Sequence, residues 1–267
     1  MITTRVPGGI RVVMQTDHQS QCGLIAARWG NRDFPRMEPW EPVLCAAEWH
    51  DEGWRQWERT PGIMDDGTPR GFAQMDLEDH VAIHRRSIAA ARNREPVAAM
   101  LVGMHCVGLL QRRLGLHGQV PDSPALPASA RALIDEERVV RAARTAKMGD
   151  QREAEEWTWA AYRVLQAIDL VSLYLTWRGL AHGEAWTLRQ VPRAGTGSEG
   201  ADIAVTPVDH VTCALDPWPF ADAKVDAPVL GRIIPNRAYS TADDLGTAIR
   251  HATPAAAPFR IVPATGQ

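Results

Sequence analysis

His50 and Asp51 stand side by side at the centre of the stretch Ala46-Ala47-Glu48-Trp49-His50-Asp51-Glu52-Gly53-Trp54, an imidazole followed directly by a carboxylate. Two such neighbours can reach one cation, or one cation each of a close pair. A dipeptide is short enough to arise by chance, so its company decides its weight. Asp17-His18-Gln19 lies upstream, and His80, His84, His105 and Asp169 lie downstream. Asp169 falls within the apolar run 164–173, where an unpaired buried carboxylate is expensive and a metal ion, an arginine or solvent must compensate it. His105 falls in a similar run, 102–109. A lone histidine there is commonly satisfied by a backbone carbonyl, but the other positions favour a ligand.

The elements that must carry these residues are mostly helices. After a short strand over 9–14, Thr16 and Gln19 have the spacing of a capping box, and a helix is predicted through residue 29 with His18 and Cys22 on one face. Pro35, Pro39 and Pro42 hold off the next helix until 43–49, which ends on the His50-Asp51 pair. Turn-forming clusters make 55–75 a loop beside the pair, where substrate selection would reside. Asp76 reads as the N-cap of a helix over 77–94 that turns His80 and His84 the same way. A strongly apolar helix over 97–114 carries His105 and closes at Gly115, and a Gly- and Pro-rich loop follows over 115–127. Helices over 128–148 and 151–180 complete this part, the second bearing Asp169.

From about residue 184 the composition turns β-favouring, with strands predicted over 185–191, 203–208, 211–215, 225–234 and 259–262. One helix, 245–251, follows Thr241, which repeats the capping spacing with Asp244. The expectation is a mostly α, HD-domain-like helical bundle over 1–183, its core domain all-α, with a small C-terminal β-rich (α+β) appendage over 184–267 packed on it.

The order His, His-Asp, His, His, Asp on successive helices resembles the two-metal members of the HD-domain superfamily of hydrolases and oxygenases. The wording is also similar to an uncharacterised bacterial family of HD-like proteins: Asp17-His18, Gly23, Trp29-Gly30, His50-Asp51-Glu52-Gly53-Trp54, Leu101-Val102-Gly103-Met104-His105, the run from Asp169 to Leu175, and Pro217-Trp218-Pro219-Phe220. The resemblance implies His18, His50, Asp51, either His80 or His84, His105 and Asp169 as metal ligands, with Asp51 bridging two metals. Between the alternatives we take His80. His84 would then orient the ligands or contact a substrate phosphate, and a solvated basic face beside Arg85-Arg86 is the plain alternative for this pair.

Such a ligand set suits two divalent or mixed-valent transition metals, iron foremost with manganese or zinc as alternatives, better than magnesium or calcium. The first functional expectation is a metal-dependent phosphohydrolase acting on a nucleotide or small phosphoester. Arg55, Arg70, Arg85 and Arg86 are the nearby guanidiniums for a phosphate, and Trp54 could wall a pocket, although packing is the simpler role for Trp49, Trp54 and Trp57. Many HD proteins carry Lys or His three residues after the HD aspartate; here that position is Trp54. A mixed-valent diiron oxygenase cleaving a C–C or C–P bond would use the same ligands, and a non-catalytic, metal-stabilised sensor or binding module is the third expectation. His117, His182, His210 and His251 read as structural or surface residues.

Composition narrows the setting. With 45% hydrophobic and 23% charged residues the chain is expected to fold. The net charge of -3 argues against a nucleic-acid surface and leaves a small molecule as the expected partner. Lysine occurs only at Lys147 and Lys224, so any anion clamp must be arginine. The four cysteines form no C-x-x-C pair, which disfavours a zinc knot and fits reduced thiols. No run approaches the roughly 20 apolar residues that cross a bilayer, nor does 1–9 suit a secretion signal, so a cytoplasmic location away from membranes is expected.

Overall fold

The computed structural model describes residues 1–111, 126–197 and 199–264. The predicted loop over 115–127 lies almost wholly outside them, as do His117 and the end of the helix predicted to close at Gly115.

The chain opens with a hairpin, β1 (Ile2–Val6) and β2 (Gly9–Val13), whose Pro7-Gly8 turn sets a register of Ile2 opposite Val13. Five helices then build the layer that holds the candidate residues: α1 (Gln15–Arg28), α2 (Glu41–Trp49), α4 (Leu77–Arg92), α5 (Pro96–Leu110) and α7 (Gln151–Thr176). A single turn, α3 (Trp54–Trp57), follows the His50-Asp51 pair, and α6 (Ala128–Thr145) covers α4 and α5 from outside. After α8 (Gly179–His182) come β3 (Trp186–Val191), β4 (Ala201–Pro207), β5 (Thr212–Asp216), β6 (Val225–Asp226), β7 (Val229–Ile234), α9 (Ala242–His251), β8 (Ala255–Ala257) and β9 (Arg260–Pro263).

The strands form two sheets. One has the order β1-β2-β7-β8, antiparallel throughout; the other has the order β3-β4-β5-β9-β6, with β5 and β9 parallel. Among the described residues 48% are helical and 19% are strand. The mostly α bundle with a small β appendage, and with it the all-α description, is therefore overturned in favour of an α+β fold. The physical reason is that the strands do not form a patch of their own. The N-terminal hairpin recruits β7 and β8 into one sheet, and the other sheet lays Leu188, Ile203, Val205, Leu215 and Ile261 into the same apolar core as the helices.

Local chemistry explains the element ends. Pro96 opens α5 at a position whose N–H needs no helical partner, and Glu95 caps Ala98 N–H with its side chain. Pro42 likewise fits the first turn of α2, so that helix begins at Glu41 and not at residue 43. Asp150 caps α7 through Arg152 N–H at 3.0 Å and Glu153 N–H at 3.1 Å. α7 stops at Thr176, short of the expected residue 180, because Trp177 leaves helical geometry at φ -113° and ψ -91°. Thr16 lies inside α1 and does not cap it, whereas Thr241 does cap α9, accepting from Asp244 N–H at 3.1 Å. The strand expected over 225–234 is two strands in different sheets, separated at Pro228, which cannot donate to a ladder. Among the described residues no helix is long and apolar enough to cross a membrane.

Candidate metal centre

α5 is buried along almost its whole length; α2, α4 and α7 pack against it, and α1 packs on α2 and α7. Each brings its chemistry to the same interior. α1 supplies His18 and, one turn on, Cys22; the end of α2 supplies His50 and Asp51; α7 supplies Asp169 and Ser172; α5 supplies His105; α4 supplies His80 and His84. Gly53 lets α4 approach the His50-Asp51 segment. A Cβ there would stand 2.1 Å from the carbonyl oxygen of Ile83 and 2.7 Å from Ser87 N. The contact is closed by Gly53 N–H donating to Ser87 Oγ at 3.0 Å, and by Arg86 Nε donating to the Gly53 carbonyl at 3.2 Å.

Four of these side chains, His18, Cys22, His50 and Asp169, are buried and offer donor atoms that all lie within 4.8 Å of one another, a cluster that could hold a metal ion. His18 Nε2 is 2.8 Å from Asp169 Oδ1, and Cys22 Sγ is 3.8 Å from the same nitrogen. His50 Nε2 is 3.6 Å from both Asp169 Oδ1 and Asp51 Oδ2, too far for a hydrogen bond. Asp51 Oδ2 is 4.0 Å from His18 Nε2. The ring of His50 meets those of His18 and His105 edge-on, at 5.5 and 5.2 Å between centroids.

The surroundings fix which ring nitrogens point inward. Gln21 Nε2 donates to the Ala227 carbonyl, so Gln21 Oε1 is the atom that accepts the Ser172 hydroxyl proton. Ser172 Oγ must then accept from His18 Nδ1–H at 2.7 Å, which leaves Nε2 as the ring nitrogen that faces Asp169. His50 Nδ1 likewise donates to the Ala47 carbonyl at 3.0 Å and turns Nε2 inward. Imidazoles held by their far nitrogen in this way are the usual second layer of metal-binding histidines.

Two lone pairs aimed at carboxylates repel unless a positive charge sits between them. Burial opposes charge on His50, but Asp51 and Asp169 outweigh it and raise its pKa to about 9. Burial opposes ionisation of Asp169 as well, yet His18 and then His50 hold its carboxyl far below the usual carboxylate range. Among the described residues three buried imidazole nitrogens find no hydrogen-bond partner: His50 Nε2, His84 Nε2 and His105 Nδ1. Each is a desolvated nitrogen left without a partner, at a cost of about 1–3 kcal/mol.

His80 and His84 differ. His80 is partly exposed, lies edge-on to the buried Trp54 at 5.5 Å and donates from Nε2 to the Phe72 carbonyl at 3.0 Å. His84 is buried, and burial together with His80 and His105 pushes its pKa down to about 3, keeping it a neutral donor of electrons. Burial also lowers the pKa of His105.

The other expected residues lie around this interior. Arg55 pairs with Glu52, Arg85 makes two hydrogen bonds to Glu136 at 2.6 and 3.0 Å, and Arg70 Nη1 is 3.8 Å from Asp76 Oδ2. Trp54 is packed, at 2% exposure, where it underlies His80. His182, His210 and His251 are exposed. Sequence reasoning missed Ser172, Gln21 and Gln19, whose Oε1 accepts Asp51 N–H at 3.0 Å. Their signal was a polar residue within a buried stretch, three residues from Asp169 or from His18 along a helix for Ser172 and Gln21. Cys22 was visible as a neighbour of His18 on the helix face but not as a donor.

A model of the family described as a protein of unknown function (DUF3891) matches residues 1–236. No curated protein and no solved structure matches the chain.

Proposed function

The chain belongs to this family of proteins of unknown function, and we propose that it is an HD-like, metal-dependent phosphohydrolase acting on a small phosphoester or nucleotide through two transition-metal ions. The observation that carries the reading is the buried donor group of His18, Cys22, His50 and Asp169, with Asp51 Oδ2 3.6 Å from the unpartnered His50 Nε2 and the His105 ring 5.2 Å from that of His50. His18, His50, Asp51 and Asp169 would hold one ion, and Asp51, His105 and His80 or His84 the other. Bound there, the ions would supply a water of lowered pKa and polarise a phosphoryl oxygen.

The chain's own residues account for the rest. Ser172 and the Ala47 carbonyl hold the imidazoles in one tautomer and orientation. Gln19 and Ser87 hold the segment that carries Asp51, accepting the N–H of Asp51 itself and the N–H of Gly53 two residues on. Asp51, with 10% of its side chain exposed, and the partly exposed His80 are the points of the centre closest to solvent, so substrate would approach over them. Arg86, anchored on Gly53, is the guanidinium best placed by sequence and contact to meet an anion there.

A second reading, a metal-stabilised binding module without turnover, is favoured by the enclosure of the ligands. Among the described residues, clefts of about 660 and 540 Å³ are lined by other residues. Metal analysis of protein purified without chelator, followed by assays of phosphate release and oxygen uptake, separates the cases. Metal-dependent release of phosphate supports the hydrolase. Oxygen uptake without phosphate release replaces it with a diiron oxygenase, and bound metal without either leaves the binding module.

A further inference from the structure

Cys22 belongs to the same ring of donors as His18, His50 and Asp169, yet the reaction proposed above has no use for a thiol. We propose that Cys22 is a thiolate ligand of the ion held by His18, His50 and Asp169, so that this position selects a thiophilic ion such as zinc or cobalt. The inference rests on reading the cluster as a metal centre.

Geometry carries it first. A tetrahedral ion with bonds of about 2.0–2.3 Å sets its ligand atoms about 3.3–3.8 Å apart. Cys22 Sγ lies 3.8 Å from His18 Nε2, and His50 Nε2 lies 3.6 Å from Asp169 Oδ1. The shorter 2.8 Å between His18 Nε2 and Asp169 Oδ1 is the span of a proton-bridged pair, which an ion between them would widen. Spacing carries it next. Cys22 follows His18 by four residues on α1, so one rigid helix face presents nitrogen and sulfur together, as paired ligands on metal-binding helices do. The unpartnered His50 Nε2, fully enclosed, is the independent sign that something is held here besides the four side chains. The bland role, a small apolar filler, suits Cys106 and Cys213, which are also buried; among the described residues Cys22 alone of the cysteines joins such a donor group. As the sulfur–metal bond forms, the thiol proton leaves to solvent, and no oxidant or reductant is involved.

The test is a titration of the full chain, stripped of metal and kept reduced, with cobalt(II). The expected result is a near-ultraviolet sulfur-to-cobalt charge-transfer absorption that grows with the first equivalent and is displaced by zinc. In Cys22→Ser the band is lost while cobalt still binds, at least about tenfold more weakly. Cys106→Ser keeps the band. Cobalt binding by the wild-type chain without the band, or a band that survives in Cys22→Ser, overturns Cys22 as a ligand and leaves the metal centre standing. Failure of the wild-type chain to bind cobalt or zinc at all overturns both.

Discussion

At the scale of single residues, the decisive atoms are ring nitrogens with nowhere else to go. His18 gives its Nδ1 proton to Ser172, which has already given its own proton to Gln21, so the geometry of three hydrogen bonds decides what faces Asp169. Ser172→Ala should therefore leave the fold intact and lower metal affinity by about 10–100-fold, measured by competition with a chromophoric chelator. His50→Ala, Asp51→Ala, His105→Ala and Asp169→Ala should each lower metal content at least about tenfold, whereas His182→Ala and His251→Ala, on exposed side chains, should leave it unchanged. Paired substitution of His80 and His84 by Ala decides which serves: the unpartnered Nε2 of His84 predicts the larger loss there. At this scale three of the four donors that meet, His18, His50 and Asp169, were legible. A histidine or aspartate inside an apolar run is costly enough to ask for a reason, and His105 and Asp169 announced themselves that way, His50 by the carboxylate next to it. Cys22, Ser172 and Gln21 did not, because a small polar residue on a helix carries no such penalty until its neighbours are known.

At the scale of elements, the approach of α4 to the end of α2 is set by the missing side chain of Gly53. Gly53→Ala would drive a methyl group into the Ile83 carbonyl, which is backbone and cannot swing aside. Overpacking of this kind costs about 1–3 kcal/mol, so the variant should melt several degrees lower and lose metal as well, since α4 carries His80 and His84. The seam between α5 and α6 offers a pH test away from the centre. Burial, opposed in part by Arg92, raises the pKa of Glu137. A carboxyl whose folded pKa lies above its unfolded value favours the fold at low pH and works against it as pH rises through the folded value. Glu137→Gln should therefore raise Tm by about 2 °C at pH 8 and have no effect at pH 4, as thermal melts across that range would record. The helices themselves were largely readable from apolar periodicity and from Asp76, Pro96 and Thr241 at their starts. The strands were less so: β1 and β8 are short and escaped, and the run from Val225 to Ile234 looked continuous because sheet membership is a tertiary fact.

At the scale of the whole molecule, the fold is α+β because the N-terminal hairpin and the C-terminal strands complete each other, a long-range pairing that no local pattern records. The same closure reaches the centre. Ala227, between β6 and β7, holds Gln21 on α1, and Gly30 N–H bonds the Pro219 carbonyl where Trp29 meets Phe220 edge-on at 5.5 Å. Since these contacts and the ligands depend on one packing, chelation should lower Tm in wild-type protein and have little effect on Asp169→Ala. The central claim, that residues remote in sequence meet to neutralise cations, is tested most directly by elemental analysis of the wild-type chain purified without chelator. The account predicts one to two equivalents of transition metal per chain, lost on Asp169→Ala. A wild-type chain that carries no transition metal, takes up none on dialysis against iron or zinc and melts at the same temperature with or without them would contradict it.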